Sequence, residues 1–505
     1  MSPKLAFVFF TITLGTSFNF GFYSGVINEP LEMIRSFIIK TMEDRGQTED
    51  EGFATTIGSL CVTGYLIGGM IGGGFGGLLG NKLGRKRSIY ILSIPHIIGC
   101  VLLMVCKKIH SFEVIIVGRF ISGLACGAYT AIGPTYLSEC APPSVRGAAG
   151  VLNQLVIVAS IMISQILGLR FVMGTEELWP FLIGLGVVPC IISLVCLLGC
   201  PESPRYLFLM KKDTAAAEQA LLSLGNRQEM VEEELEVMRA EAEVSSEKTS
   251  LVNLLKVPHL RLAFGVAIVA QMANQLTAQN GLVYYSVDLF RSCSLEGDDA
   301  IYANIGLGAT MLATTVVSAF VIDRVGRRVL LLGGLISVSV CLLLFTGAML
   351  GKDLGGVGWL AYAAVALTFG VQVAYNIGPG SIPWFIAPEI FTQGNRDAVI
   401  SVATFVNWLF NITIGLVFPQ LAKYIVNYSF LPFVAITAFV VAFLWIFLPE
   451  TKGRNPKSVE DGFKRWFGQK AEGDIEQASQ STEFDRRSVS LSVTNSDDSD
   501  RSGDE

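Results

Sequence analysis

Charge is scarce in this chain. Asp, Glu, Lys and Arg make up 16% of its 505 residues, against about 25% in an ordinary globular domain, which excludes a protein lying mostly in water. Acidic side chains are missing from the interiors of the long apolar runs. Glu29 stands near the outer end of the first run, and Glu113, Glu139 and Glu389 stand at run edges. The ten cysteines, with Cys100, Cys126, Cys196 and Cys341 as examples, fall mostly within apolar runs, where a thiol behaves as a small hydrophobe. Neither a disulfide framework nor a C-x-x-C metal pattern follows from them. No metal cluster, nucleophile triad or phosphate loop is legible, which argues against an enzyme and calls for no cofactor or metal. The net charge of -6 carries no nucleic-acid signal, because the acids gather in one outer loop, a middle segment and the C-terminal tail.

Apolar sequence is abundant: 51% of the residues are hydrophobic and the mean hydropathy is +0.53. Lipid offers the backbone no hydrogen-bond partner, so a span needs about 20 mostly apolar residues in a helix. Roughly twelve segments qualify: 5–27, 54–79, 88–106, 112–138, 147–170, 179–200, 260–289, 300–321, 329–350, 358–391, 397–422 and 430–448. The first is too long for a signal peptide and lacks an A-x-A-like exit, so it reads as a span. Lys82, Arg85, Lys86, Arg87, Arg146, Arg324, Arg327, Arg328, Arg396, Lys452 and Arg454 fall on one side of this arrangement. The opposite loops carry Glu43, Asp44, Glu49, Asp50 and Glu51, then Glu296, Asp298 and Asp299. The basic side is the cytoplasmic one, which puts both termini inside.

A Gly-Arg-basic turn after a span occurs twice, as LGRKR at 83–87 and VGRRV at 325–329. SECAPPSVRG at 138–147 corresponds to APEIFTQGNR at 387–396, so Glu139 precedes Arg146 by seven residues as Glu389 precedes Arg396. PESPR at 201–205, with Glu202 and Arg205, corresponds to PETKG at 449–453, with Glu450. The displacement is about 245 residues throughout, the mark of a duplicated, multi-spanning carrier built from parallel repeats. Arginines at helix mouths bond carboxylates and helix ends of their neighbours. As a set, Arg85, Glu139, Arg146, Glu202, Arg205, Arg327, Arg328, Glu389, Arg396 and Glu450 suit a charge latch; singly, each also suits topology or capping. Gly69, Gly73 and Gly77, flanked by Gly68, Gly72, Gly76 and Gly80, recur every four residues and suit close helix packing.

These features divide the chain into a first six-span unit (1–200), a linker (201–258), a second six-span unit (259–450) and a tail (451–505). The linker's helical spacing suits short amphipathic helices on the cytoplasmic side, or a solvated connection. The tail is too polar to fold alone, and its Arg486-Arg487-Ser488-Val489-Ser490 run and Ser502 resemble kinase sites.

Carriers bind near the midplane, often at an interrupted helix. YNIGPGSIPWF at 375–385 carries such an interruption: Pro379 and Pro383 remove donors, and Gly378 and Gly380 loosen the helix. Trp384 offers a flat face for a sugar ring, or an interfacial anchor. Ten amides gather in the apolar runs: Asn153, Gln154, Gln271, Asn274, Gln275, Gln279, Asn280, Asn376, Asn407 and Asn411. Any one of them suits helix-to-helix bonding; together they suit a neutral polyhydroxylated solute, since an amide both donates and accepts. The lack of a deep acid favours downhill movement over ion coupling.

In GRKR, GRR, PESPR, PETKGR, GPGSIPWF and QMANQLTAQNGLVYYS, residues 5–457 resemble the sugar-porter branch of the major facilitator superfamily, specifically animal facilitative glucose transporters. The resemblance implies an all-α membrane protein with twelve helices in two pseudo-symmetric six-helix bundles and a cytoplasmic helical domain. It implies alternating access for hexoses in a plasma membrane. Gln154, Gln275, Asn280 and Trp384 match sugar-holding positions, Tyr284 and Tyr285 match an outer gate, and Asn407 and Trp408 match a pair lining the same cavity. Asn274 stands where the family has glutamine, Asn376 where it has glutamate, and Met311 where it has asparagine. Gln271-Met272-Ala273 replaces a Q-L-S run associated with glucose over fructose, which leaves the preference open, while Trp384 points toward glucose. Tyr23 stands where proton-coupled relatives have aspartate, which favours uniport. A proton-coupled symporter and a non-transporting sensor are the rival readings. Asn427-Tyr428-Ser429 is a sequon close to the membrane.

Overall fold

The computed structural model describes residues 2–46, 51–142, 145–225, 227–244, 251–295, 297–391, 393–452, 454 and 456–467. Among them the regular structure is helical. The first part of the chain forms α1 (Pro3–Gly15), α2 (Ser17–Gly25), α3 (Leu31–Asp44), α4 (Glu51–Leu83), α5 (Arg85–Val105), α6 (Glu113–Cys140), α7 (Arg146–Leu167), α8 (Trp179–Gly184) and α9 (Val187–Leu197). The connecting region forms α10 (Thr214–Ser223), α11 (Gln228–Val244) and α12 (Leu251–Lys256). The remainder forms α13 (Pro258–Leu276), α14 (Gln279–Tyr284), α15 (Ser286–Ser292), α16 (Asp299–Val325), α17 (Arg327–Gly355), α18 (Trp359–Ile377), α19 (Ile382–Ile390), α20 (Gln393–Tyr424), α21 (Leu431–Phe447) and α22 (Pro456–Trp466).

Ten stretches among the described residues are long and apolar enough to cross a membrane, and they coincide with ten of the expected segments. The segment expected at 430–448 forms a shorter apolar helix, Leu431–Phe447. That expected at 260–289 is divided into α13, α14 and α15, because Ala278 takes a left-handed conformation (φ 58°) and Tyr285 leaves helical geometry. No glycine or proline marks either break. The region after α2, read as a loop, contains α3, which buries Leu31, Ile34, Ile38 and Met42 on one face. In the connecting region Ala217, Leu221, Val231, Leu235 and Met238 form a small core of their own, in keeping with the helical spacing.

The α4 glycines serve two faces. A Cβ on Gly68 or Gly72 would overlap backbone carbonyls of α6 (Phe120 and Leu124), so these positions let two helix backbones touch. On the other face a Cβ on Gly69 would lie 2.5 Å from the ring of Trp408, which fills that notch from α20. Gly84 and Gly326 begin α5 and α17 at φ 95° and 113°, a region that favours glycine. The duplication inferred from sequence is therefore repeated in backbone conformation.

Candidate binding site and gates

The break between α18 and α19 frees backbone acceptors at the candidate site. Pro383 has no N–H to give the carbonyl of Pro379, four residues back, and Trp384 N donates to Ser381 instead of Gly380. The freed carbonyls of Pro379 and Gly380 accept from Asn274 Nδ2 at 2.8 and 3.2 Å. Gln271 Nε2 donates to the Pro383 carbonyl at 3.2 Å. Helix interruption and amide face are thus one construction, with α13 stitched to the α18–α19 turn. Gly378 lets that turn pack on α17, where a Cβ would overlap the Leu330 carbonyl.

Around it the amides bond one another. Gln275 Nε2 donates to Asn274 Oδ1 and Asn407 Oδ1, both at 3.0 Å. Asn407 Nδ2 donates to Gln271 Oε1 at 2.9 Å and Asn274 Oδ1 at 3.1 Å. Asn280 Nδ2 donates to Gln275 Oε1. The structure therefore brings Asn274, Gln275, Asn280 and Asn407 into one cluster and adds Gln271. Asn376 is held apart by a 2.9 Å bond to Thr314 of α16. Gln154 on α7 and Trp384 on α19 are exposed. Gln279 is buried and paired with Gln372, and Asn153 accepts from Ser17 at 2.6 Å, so both act between helices.

The expected gate residues lie in two settings. Tyr284 donates to Asn411 at 3.1 Å and Tyr285 to the Gly415 carbonyl at 3.0 Å, which closes α14 onto α20. Trp408 is 4% exposed, wedged between the α4 glycines and edge-on to Phe20 at 6.0 Å. It joins the parts of the chain before and after the connecting region.

At the end bearing the Gly-Arg turns, here the motif end, the expected latch forms two equivalent clusters. Arg85 Nη2 meets Glu139 at 2.8 Å, Ser203 donates to the same carboxylate, and Glu202 accepts the Arg85 and Lys86 backbone N–H groups at 2.8 and 3.0 Å. In the second cluster Arg327 Nε meets Glu389 at 3.0 Å, Thr451 donates to that carboxylate, and Glu450 accepts from Arg327 N at 2.9 Å and Arg328 N at 3.2 Å. Glu202 and Glu450 thus cap the positive ends of α5 and α17. Arg205 acts electrostatically on Glu139. Arg328 Nη2 donates to the Trp445 carbonyl at 2.6 Å. Arg396, spaced to face Glu389, instead donates to the Phe391 carbonyl at 3.3 Å. The side chain of Arg146 and the tail serines lie outside the described residues. Each cluster stays within its own half of the chain.

At the opposite end the bonds cross between the halves. Arg35 meets Asp288 at 2.9 Å, Arg291 meets Glu32 at 2.6 Å, and Arg170 meets Asp298 at 3.2 Å. Asn28 donates to the Val283 carbonyl at 2.6 Å, and Asn304 donates to Glu29 at 2.7 Å. Apart from Asp298, named only as a loop acid, and Glu29, sequence reasoning did not single these residues out. It also missed Arg119, which is 1% exposed and donates to the carbonyls of Tyr23 and Cys61 at 2.9 and 3.3 Å. Its guanidinium lies 4.7 Å from the Tyr65 ring centroid. An arginine inside an apolar run was the available signal. Asn427 of the sequon donates to Asp353 at 2.6 Å.

A chain of apolar helices, bonded between its halves at one end and around a buried amide cluster, is a multi-pass membrane carrier. It belongs to the sugar transporter family, whose model, "Sugar (and other) transporter", matches residues 8–463. It is 38% identical over 468 residues to the human solute carrier family 2, facilitated glucose transporter member 3, covering 92% of this chain and 93% of that one. The chicken protein of the same name is also 38% identical, over 450 residues, covering 89% and 90%. In fold, the chain is similar to the E. coli xylose transporter XylE in its inward open conformation, with a TM-score of 0.75 at 20% identity, covering 90% of this chain and 99% of that one.

Proposed function

We propose that the chain carries a hexose, D-glucose foremost, passively across the plasma membrane by alternating access. The observation that carries this is the amide cluster of Gln271, Asn274, Gln275, Asn280 and Asn407, built on an interrupted helix in a chain 38% identical to a facilitated glucose transporter. Twelve spans follow if α13–α15 and α21 each cross, giving six-span units at 1–200 and 259–450, a cytoplasmic helical linker at 201–258 and cytoplasmic termini.

Without sugar, the amides satisfy one another. A hydroxyl both donates and accepts, so a hexose can exchange amide–amide bonds for amide–hydroxyl bonds at little net cost, and leave as readily. That suits passive transport, where release must be as easy as entry. Gln154 and Trp384 complete the site from α7 and α19, and Asn376 lines it beside Thr314. Tyr284, Tyr285 and Trp408 close the outer side; the turn from Gly378 through Pro379 to Pro383 moves on the inner side. Arg119 faces Tyr23 rather than a carboxylate, so no proton-titrating pair lies there, in keeping with uniport.

Labelled glucose entry into sealed liposomes holding the purified protein tests this, with fructose and galactose as competitors and with or without a pH gradient. Entry stopping at equal concentrations and ignoring the gradient is expected. Gradient-driven accumulation would establish a symporter, and no flux with retained sugar binding a sensor.

A further inference from the structure

Glu29 lies in the turn after the first span, 7% exposed, at the interface between the halves. Its Oε1 accepts from Asn304 Nδ2 at 2.7 Å, while its Oε2 is buried and has no partner. Asn304 Oδ1 in turn accepts from Gln165 Nε2 of α7 at 3.1 Å and from Ser286 Oγ of α15 at 2.7 Å. One carboxyl and one amide therefore tie the turn after α2 and α7 to α15 and α16. Gly168 leaves the room: a Cβ there would stand 2.6 Å from Glu29 Cγ.

Charged groups on the elements packed around this carboxyl are committed elsewhere. On α3, Arg35 pairs with Asp288 of α15, and Glu32 pairs with Arg291. Arg170, after α7, pairs with Asp298 before α16, and Asp299 begins that helix exposed. Among the described residues no cation bonds Glu29. A buried carboxylate with one oxygen unpaired and no counter-ion is costly, and taking up a proton removes the charge.

We infer that Glu29 is a proton-binding site of the outer gate, protonated when the halves close on the outside and ionised when they part. This rests on the alternating-access reading. Opening hydrates the carboxyl and breaks its bond to Asn304; the proton leaves to the outer solution and returns from it on closure, so none crosses the membrane.

Burial pushes the Glu29 carboxyl up from 4.5 to about 8 in this closed state. The sign follows: between those values closure takes up one proton, so falling outer pH favours closure, by up to tenfold per pH unit. Above about 8 both states are ionised and the dependence ends.

The test uses full-length protein in lipid nanodiscs, with spin labels at exposed Lys40→Cys and Ser292→Cys reporting the distance across the outer face by electron–electron resonance, without sugar. The open fraction should rise with pH up to about 8 in wild type and stay low and flat in Glu29→Gln. Asn304→Ala removes a donor that favours the ionised form and should move the midpoint upward. A flat wild type, a Glu29→Gln that titrates like wild type, or an unmoved midpoint in Asn304→Ala would overturn the inference. In liposomes, sugar entry should leave the interior pH unchanged, and acidification would overturn the sealed, one-sided site. Failure of the hexose reading would appear separately, as absent flux with intact pH-dependent opening.

Discussion

At the motif end, Arg85 and Arg327 sit on Glu139 and Glu389 with side chains 9–23% exposed, whereas at the opposite end Arg35, Arg291 and Arg170 meet their acids with side chains 22–63% exposed. The less exposed pairs also receive hydroxyl donors from Ser203 and Thr451, and beside them Glu202 and Glu450 cap helix starts. The exposed pairs have water as an alternative partner. Burial separates the tasks. On the alternating-access reading, the more buried clusters, each held by several bonds, cost more to take apart in each cycle and serve as joints inside a half. Exposed pairs between halves can open and re-form at low cost, as a gate requires. The halves are bonded to each other at the end opposite the Gly-Arg turns, so on the alternating-access reading these are the pairs that break next.

The largest expected effect breaks a joint. Arg85→Ala leaves the largely buried Glu139 without its bonded cation and should cost about 3 kcal/mol, the low end for such a pair because Arg205 remains nearby, read as a large fall in thermal midpoint in detergent. Arg327→Ala should do the same in the second cluster, slightly less, because its pair is more exposed. If both proteins kept wild-type midpoints but changed the balance of inward and outward states, the clusters would be gates, and the comparison would fail. Gly326→Ala comes next, since it forces a side chain to φ 113° against the Glu450 carboxylate. About 1–3 kcal/mol is expected from such strain, on the same midpoint.

In the central site, Gln275→Ala leaves Asn407 Oδ1 and Asn280 Nδ2 short of a partner in a buried cluster. Loss of about 1–3 kcal/mol in sugar binding is expected, measured by calorimetry beside Gln154→Ala. An affinity unchanged in both would remove the sugar from this cluster.

How much of this was legible depends on how far along the chain a feature's partners lie. Membrane helices follow from apolar runs, each its own signal, and the motif clusters could be found because the sequence repeats them. Partner choice could not: a spacing of seven from Glu389 to Arg396 says nothing about Arg327, which reaches Glu389 from another helix. The amides were visible as a group within the apolar runs, and the broken helix as glycine and proline. Their union through freed carbonyls was not, since it pairs positions over 100 residues apart. The breaks in α13–α15 turn on Ala278 and Tyr285, residues with no local preference for the conformations they adopt. The outer contacts were hidden for both reasons, with partners such as Glu29 and Asn304 separated by 275 positions and no repeat to advertise them.

The smallest effects belong to those outer pairs and sharpen the comparison most. Arg35→Ala and Arg291→Ala each remove a partly exposed ion pair worth about 0.2–1 kcal/mol, so neither should lower the thermal midpoint measurably. Because they join the halves only in the outward-closed state, their loss should fall on that equilibrium: up to a fivefold shift toward the outward-open state for 1 kcal/mol, less for the smaller values. Raising salt should reproduce part of the shift in wild type, since exposed charges are screened at a Debye length of about 8–10 Å, and should add little in the double variant. The readout is the spin-label distance across the outer face, from labels at Lys40→Cys and Ser292→Cys. A salt response equal in wild type and double variant would place the gate's electrostatics elsewhere, leaving the buried Glu29–Asn304 bond and the Trp408 wedge as the contacts that hold the outer end shut.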